Sequence, residues 1–174
     1  LQRQLARAAA EVMTQAGASP EPELSVAISL FNYGHFIAAA LESVCRQTMA
    51  AAIELIVVDD ASTDDSLAAV ERFCRDQTKL IDRLRLFRLV RHQRNRGLAE
   101  TRNTAFALAT APAVLVLDAD NRLLPQAGAK LNEALCLAPA NVGAAYPLLV
   151  VEGHPSQHVA NELPWNIVRL RQGN

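Results

Sequence analysis

The chain has few cysteines, few aromatic residues and no large excess of charge of either sign. Only three of its 174 residues are cysteines, 5% are aromatic, and 17 basic side chains nearly balance 18 acidic ones. The scattered cysteines argue against a disulfide framework or a clustered zinc site, and the balanced charge gives no basic footprint for nucleic acid. No apolar run approaches the roughly 20 residues that cross a bilayer. A soluble segment without a transmembrane span or a nucleic-acid partner is therefore expected.

Hydrophobic residues make up 51% of the chain, enough for one domain with an ordinary core. The cysteines Cys45, Cys74 and Cys136 each lie within a helical pattern, which predicts buried free thiols and a reducing, cytoplasmic location. The sequence begins at Leu1 without methionine and ends at Asn174 inside an incomplete element. We therefore expect a segment of a longer protein.

Strand-like and helix-like patterns alternate along most of the chain. Apolar spacing predicts a first helix over 5–16, and a Pro-containing linker then reaches 23. The α/β domain is predicted at 24–151, and an irregular tail with a short helix near Trp165 at 152–174. Within that domain the predicted strands are 24–31, 53–58, 84–90, 113–117 and 142–151, and the last predicted helix is 125–137.

This alternation predicts an α/β fold with a mainly parallel sheet that is covered by helices on both faces. In such sheets the ligand binds beyond the carboxyl ends of the strands. The chain has neither the G-x-G-x-x-G turn of dinucleotide-binding domains nor a G-x-x-x-x-G-K-[ST] phosphate loop. Dehydrogenases and P-loop NTPases are therefore poor fits.

Acidic side chains follow two of the apolar strands. Asp59 and Asp60 end the strand at 53–58, and Asp118 and Asp120 end the strand at 113–117. Several carboxylates in one crevice repel each other unless a cation or hydrogen-bond donors offset the charge. Mg²⁺ or Mn²⁺ is commonly held by one or two carboxylates together with phosphate oxygens. The pattern predicts a metal or nucleotide site, with Asp60 preferred over Asp59 as the ligand contact.

Weaker candidates lie in neighbouring loops. Phe31 and Asn32 offer an aromatic face and an amide suited to a nucleobase, although an ordinary Asn turn explains them equally well. Gly97 and Arg102 stand near a helix start, where backbone N–H groups attract anions, and a purely structural role is equally open. The oxygens of 62–64 are better read as helix caps, and His35 and His92 as loop residues.

Five stretches in order resemble the family 2 glycosyltransferases, which have the GT-A fold and use nucleotide-diphosphate sugars. They are SVAISLFN at 25–32, LESVCRQT at 41–48, IVVDDASTD at 56–64, NRGLAETRN at 95–103 and LDADN at 117–121. The first strand departs from the family, since Ser29-Leu30-Phe31-Asn32 stands where Pro-Thr-Tyr-Asn is usual. The resemblance implies the donor-binding part of such an enzyme.

The resemblance also implies roles for single residues and a UDP-sugar as the expected donor. No residue after Leu124 matches the acceptor-side acidic group, so the general base is expected beyond Asn174. The metal would be Mn²⁺ or Mg²⁺. The implied contacts are Phe31, Asn32, Asp59 and Asp60 to the nucleoside, Asp118 to the ribose, donor sugar or metal, and Asp120 to the metal. Gly97 would lie in the nucleotide-sugar site, and Arg102 would brace either the acidic cluster or the phosphates.

Other interpretations remain open. A non-catalytic nucleotide-binding or scaffold module of the same fold would have this sequence too, and the acceptor is open among saccharide, lipid and protein. A response-regulator type of phosphotransfer domain would need an acidic pair after the first strand, which is absent. His154 and His158 have the spacing of a helical metal pair, but Pro155 disfavours a helix there. An incomplete sheet would leave an apolar edge that invites self-association.

Overall fold

A computed structural model describes residues 9–16, 21–145, 147, 149–150 and 158–159 of the chain. Its main sheet has five strands, which are, in chain order, β1 (Ala9–Ala16), β2 (Leu24–Leu30), β3 (Ile53–Asp59), β4 (Leu86–His92) and β5 (Ala113–Asp118). Their order across the sheet is β1-β4-β3-β2-β5. Strands β2 to β5 run parallel to one another, and β1 pairs antiparallel with β4 at one edge of the sheet.

Helices follow the strands as the alternation predicts. They are α1 (Ile37–Cys45), α2 (Ser66–Asp76), the short α3 (Thr78–Ile81), α4 (Leu98–Leu108) and α5 (Ala127–Leu137), with a 3-10 turn at Ala50–Ala52. None of the helices in the described part of the chain is long and apolar enough to span a bilayer.

The sheet separates two apolar layers. On one face Val26, Ile28 and Leu30 of β2 join the larger core under α1 and α2, while Ala27 between them packs in a second cluster that includes Ala105 of α4. This alternation follows from the two-residue period of a strand. Both faces of β3 are buried over its whole length, as expected for a central parallel strand.

The N-terminal helix prediction is wrong over the described residues, because Ala9–Ala16 forms strand β1. Its backbone pairs with β4 from Ala9 opposite His92 to Ala16 opposite Leu86. Pairing along a sheet edge outweighs the modest helical preference of an alanine-rich segment.

The C-terminal prediction is only partly right. Within the predicted strand at 142–151, the described strand is limited to β6 (Leu149–Val150), which pairs with a two-residue strand β7 (His158–Val159) inside the predicted irregular tail. The predicted short helix near Trp165 lies outside the described residues.

The thiol prediction holds for Cys45 and Cys74, which are buried and free, but not for Cys136, which is exposed on α5. Burial raises the pKa of Cys45 to about 12, with the nearby Cys74 adding to the effect. Burial likewise raises the pKa of Cys74 to about 11.

Candidate active site

A cleft of about 360 Å³ opens at the carboxyl ends of the parallel strands. Parallel register brings these ends level, with Leu30 beside Asp59 and Ser29 beside Asp118. Its walls come from four separate regions of the chain. The lining residues are Ser29, Leu30, Phe31, Tyr33, Asp60, Asn95, Gly97, Leu98, Thr101, Asp118, Ala119 and Asp120.

Asp60, Asp118 and Asp120 therefore share one cleft, as the two acidic strand ends predict. Phe31 and Gly97 also line it. The other proposed contacts, Asn32, Asp59 and Arg102, do not line this cleft, and each is engaged with the protein itself.

Asn32 fastens the loop after β2 to the loop after β3. Its backbone has a left-handed conformation with φ of 58°. Its Oδ1 accepts hydrogen bonds from the backbone N–H groups of Thr63 at 2.8 Å and Asp64 at 3.3 Å. The carbonyl of this amide is thus used inside the protein, as in the Asn turn that the sequence left open, whereas the family resemblance implied a contact with the nucleoside.

The same two loops are joined by three consecutive backbone N–H groups. Those of Asn32, Tyr33 and Gly34 donate to the side chains of Ser62, Ser66 and Asp64 at 3.0 to 3.1 Å. Residues 62–64 were predicted to cap the following helix. Asp64 does accept from the N–H of Ser66 at 2.9 Å, but Ser62 holds the preceding loop instead.

Asp64 carries charge in this network. Desolvation opposes its ionisation, yet hydrogen bonds from Ser66 and from the backbone of Gly34 prevail and lower the pKa of Asp64. Its contribution to stability is therefore present above the unfolded-state pKa and lost as the pH falls through the folded-state value.

Asp59 and Asp60 have different partners, because successive side chains at the end of a strand point in opposite directions. Asp59 is fully buried, with Oδ1 accepting from the N–H of Ser62 at 3.2 Å and Oδ2 lying 3.1 Å from Nε of Arg91. The Arg91 contact is an ion pair without the alignment of a hydrogen bond. Asp59 therefore supports the loop beneath the cleft, and nothing of it lines the cleft wall.

Asp60 is 2% exposed and holds the loop before α4. Its Oδ1 accepts from the backbone N–H of Arg96 at 2.9 Å, and its Oδ2 from that of Gly97 at 2.8 Å. His92, predicted as a loop residue, instead ends β4 as a buried side chain whose Nδ1 lies 2.6 Å from Oδ1 of Asp60. The sequence contains one indication of this contact, a histidine two residues beyond an apolar run. A single histidine in that position is not enough to predict that it is buried against Asp60.

On the opposite wall, Asp118 ends β5 and Asp120 follows in a turn. Arg102 of α4 donates from Nη2 to Oδ1 of Asp118 at 2.9 Å. The side chain of Asp118 is still 51% exposed. Within the described part of the chain, the exposed carboxylate of Asp120 has no hydrogen-bond or ion-pair partner.

These carboxylates fit a divalent cation that is shared with a phosphorylated ligand. No group of three or more His, Cys, Asp or Glu side chains that could hold a metal by itself occurs among the described residues. Mg²⁺ and Mn²⁺ at nucleotide sites commonly take one or two carboxylates and complete their oxygen shell with phosphate and water. Two accessible carboxylates two residues apart meet that requirement.

Sequence reasoning missed several residues that shape the cleft. Tyr33 and Leu98 are 42% and 54% exposed there, and Thr101 contributes the first turn of α4. Exposed apolar groups of this kind are indistinguishable from ordinary surface residues in a sequence. Only their place in the lining of the cleft distinguishes them.

The mainly parallel sheet with an acidic cleft at the carboxyl ends of its strands matches solved glycosyltransferases of the GT-A fold. Comparison with solved structures agrees: a mannosyltransferase from Pyrobaculum calidifontis, solved with GDP-Man and Mn²⁺, superposes with a TM-score of 0.59 at 27% identity, covering 82% of this chain and 39% of that one. S. aureus TarS, solved with UDP, gives 0.53 at 28% identity over 66% of this chain and 31% of that one.

The chain belongs to glycosyl transferase family 2, whose family model matches residues 25–169. Among curated proteins it is 38% identical over 108 residues to the succinoglycan biosynthesis protein ExoU of Rhizobium meliloti, covering 62% of this chain. It is 31% identical over 132 residues to an uncharacterised glycosyltransferase of Nostoc, covering 76% of this chain. The chain spans 29% and 38% of the lengths of these two relatives.

Proposed function

We propose that the chain is the nucleotide-sugar-binding part of a metal-dependent glycosyltransferase, which moves a sugar from a nucleotide-diphosphate donor to an acceptor hydroxyl. The observation that carries the proposal is the convergence of Asp60, Asp118 and Asp120 on one cleft at the strand ends. The similar structures solved with UDP, or with GDP-Man and Mn²⁺, support the same ligand class. A UDP-sugar is the donor we put forward.

The nucleoside side of the cleft is assigned to the wall formed by Phe31 and Asp60. Phe31 is 40% exposed and offers a face for a base. Asp60 still has acceptor capacity for an N–H or hydroxyl of the nucleoside. Asn32 and Asp59 then act indirectly, because their hydrogen bonds fix the two loops that carry Phe31 and Asp60.

The phosphate and sugar side is assigned to Asp118, Asp120 and the start of α4. Asp120 and Asp118 are the residues that would hold Mn²⁺ or Mg²⁺. A cation bound there would offset the charge that develops as the nucleoside diphosphate leaves. Arg102 keeps Asp118 oriented, and Gly97 lets the backbone approach the ligand without a side chain in the way.

Titration calorimetry of UDP with and without Mn²⁺ tests the metal role. Wild-type protein should bind UDP more tightly with Mn²⁺, and Asp120→Asn should lose at least about tenfold of that affinity, equivalent to about 1.4 kcal/mol. Glu133→Gln is the matched control, because it removes an exposed carboxylate on α5 that does not line the cleft. Equal affinity with and without metal would sink the proposed cation site.

The second candidate is a non-catalytic module that binds the nucleotide but transfers nothing. It is favoured by the internal use of Asp59 and the Asn32 carbonyl, which leaves fewer groups for the ligand than the sequence implied. A longer version of the protein that extends past Asn174 separates the two. Donor hydrolysis or transfer by that version supports the enzyme, whereas intact donor binding without turnover supports the module.

A further inference from the structure

His92 is a buried ionisable side chain that the proposed contacts do not use. It is the last residue of β4 and 1% exposed. Its Nδ1 lies 2.6 Å from Oδ1 of Asp60, and its Nε2 lies 2.9 Å from Oγ1 of Thr104 on α4. The ring therefore connects the cleft carboxylate to the helix behind it.

The direction of the contact with Asp60 follows from the chemistry of a carboxylate. The Asp60 carboxylate accepts the backbone N–H groups of Arg96 and Gly97, and as an anion it can only accept. We therefore assign the hydrogen of this contact to Nδ1 of His92, which donates it. The Thr104 hydroxyl, which also lies 3.0 Å from the carbonyl of Glu100, can serve Nε2 either as acceptor or as donor.

We propose that His92 is a positioning residue for nucleotide binding, which acts only through Asp60. Three donors fix the carboxylate: the imidazole and the N–H of Arg96 on Oδ1, and the N–H of Gly97 on Oδ2. The remaining acceptor capacity of Oδ2 is then presented to the cleft that Asp60 lines. This inference rests on the proposed function for its ligand, a nucleoside that offers an N–H or hydroxyl.

Two substitutions of His92 distinguish the role of Nδ1, which contacts Asp60, from that of Nε2, which contacts Thr104. In His92→Asn the side-chain amide nitrogen takes the place of Nδ1 and keeps the donor to Asp60. In His92→Gln the longer side chain takes the place of Nε2, keeping a partner for Thr104 and losing the donor to Asp60. Both variants lose the same ring from the same buried site, so a merely structural role predicts equal effects.

The first measurement uses the free protein and needs no ligand. Amide hydrogen exchange at Gly97 and Arg96 reports whether Asp60 still accepts their hydrogen bonds. We expect exchange about tenfold faster in His92→Gln and close to wild type in His92→Asn, since a bond to a charged acceptor is among the stronger ones. Equal exchange in the two variants overturns the positioning role.

The second measurement is UDP affinity in the presence of Mn²⁺. His92→Gln should bind about tenfold more weakly than His92→Asn, while thermal unfolding of the two stays similar. Equal affinities overturn the proposal. Wild-type protein that binds no UDP refutes the proposed function alone, because the exchange measurement still decides the role of His92.

If His92→Gln does not fold, His92→Asn is compared with wild type, since it loses the ring and the contact with Thr104 but keeps a donor to Asp60. Exchange at Gly97 should then stay within about twofold of wild type. Exchange about tenfold faster in His92→Asn would show that a donor to Asp60 is not what holds the loop, and the proposal fails.

Discussion

The backbone at Gly97 provides a quantitative test of the loop that borders the cleft. Gly97 has φ of 84° and ψ of 164°, a region that is essentially restricted to glycine. A Cβ added there would meet nothing within 4 Å. The cost of Gly97→Ala is therefore conformational and not steric.

Holding a non-glycine residue in such a region costs about 1–3 kcal/mol. Alanine also restricts the unfolded chain, which offsets about 0.4–1 kcal/mol of this. We therefore expect Gly97→Ala to lower the free energy of unfolding by about 1–2 kcal/mol. Equilibrium urea unfolding, followed by circular dichroism, measures it.

Gly143→Ala is the matched control. A Cβ at Gly143 also meets nothing within 4 Å, and its backbone lies outside the left-handed region. This variant should be neutral or more stable than wild type by up to about 1 kcal/mol. If both variants unfold at the same urea concentration, the reasoning about the Gly97 backbone is refuted.

Gly97→Ala should also weaken UDP binding more than Gly143→Ala does. The N–H of Gly97 donates to Oδ2 of Asp60 at 2.8 Å, and its carbonyl accepts from Thr101 Oγ1 at 2.8 Å. A backbone that relaxes toward negative φ moves both groups. Calorimetry on the two variants checks whether the stability loss and the binding loss occur together.

Three further predictions concern buried side chains. Burial raises the pKa of Cys45 to about 12 and that of Cys74 to about 11. Native protein treated with iodoacetamide at pH 8 should therefore be alkylated at Cys136 alone, which mass spectrometry measures. The stability that these buried thiols contribute should be lost as the pH rises from 9 through those folded-state values. Gln47→Leu should lower the free energy of unfolding in urea by about 2–4 kcal/mol. It removes the partner of the buried N–H of Gly128, in the first turn of α5, and that of the Leu124 carbonyl in the loop before it. A loss below about 1 kcal/mol would contradict this.

The central strands could be predicted because they consist mostly of apolar residues, as buried parallel strands do. The apolar runs of β2, β3 and β5 leave few alternatives to a parallel sheet, and the structure confirms this fold. The first segment could not be predicted in the same way. Alanine-rich residues 9–16 have helical spacing, and only a partner far along the chain, β4, makes them a strand.

The shared acidic cleft was predictable because parallel strand ends must meet at one edge. The partner of each carboxylate was not. Asp59 and Asp60 are adjacent in the sequence, yet one supports a loop through Ser62 and the other accepts two amides from the loop before α4. Such choices depend on the positions of loops and helices that are distant in the sequence. His92 is an example, since its ring contacts Thr104 on α4, a helix later in the chain.

The strand order has a consequence for how donor preference can diverge. Asp60 follows β3, which has a strand on each side, whereas Asp118 ends β5, which has a single strand neighbour among the described residues. Under the proposed assignment, the cleft wall of Asp60, which contacts the nucleoside, is attached to an interior strand of the sheet. The wall of Asp118, which contacts the sugar, is attached to the margin of the sheet. If the proposed assignment holds, substitutions at that margin would change the preference for the donor sugar and leave nucleotide binding unchanged.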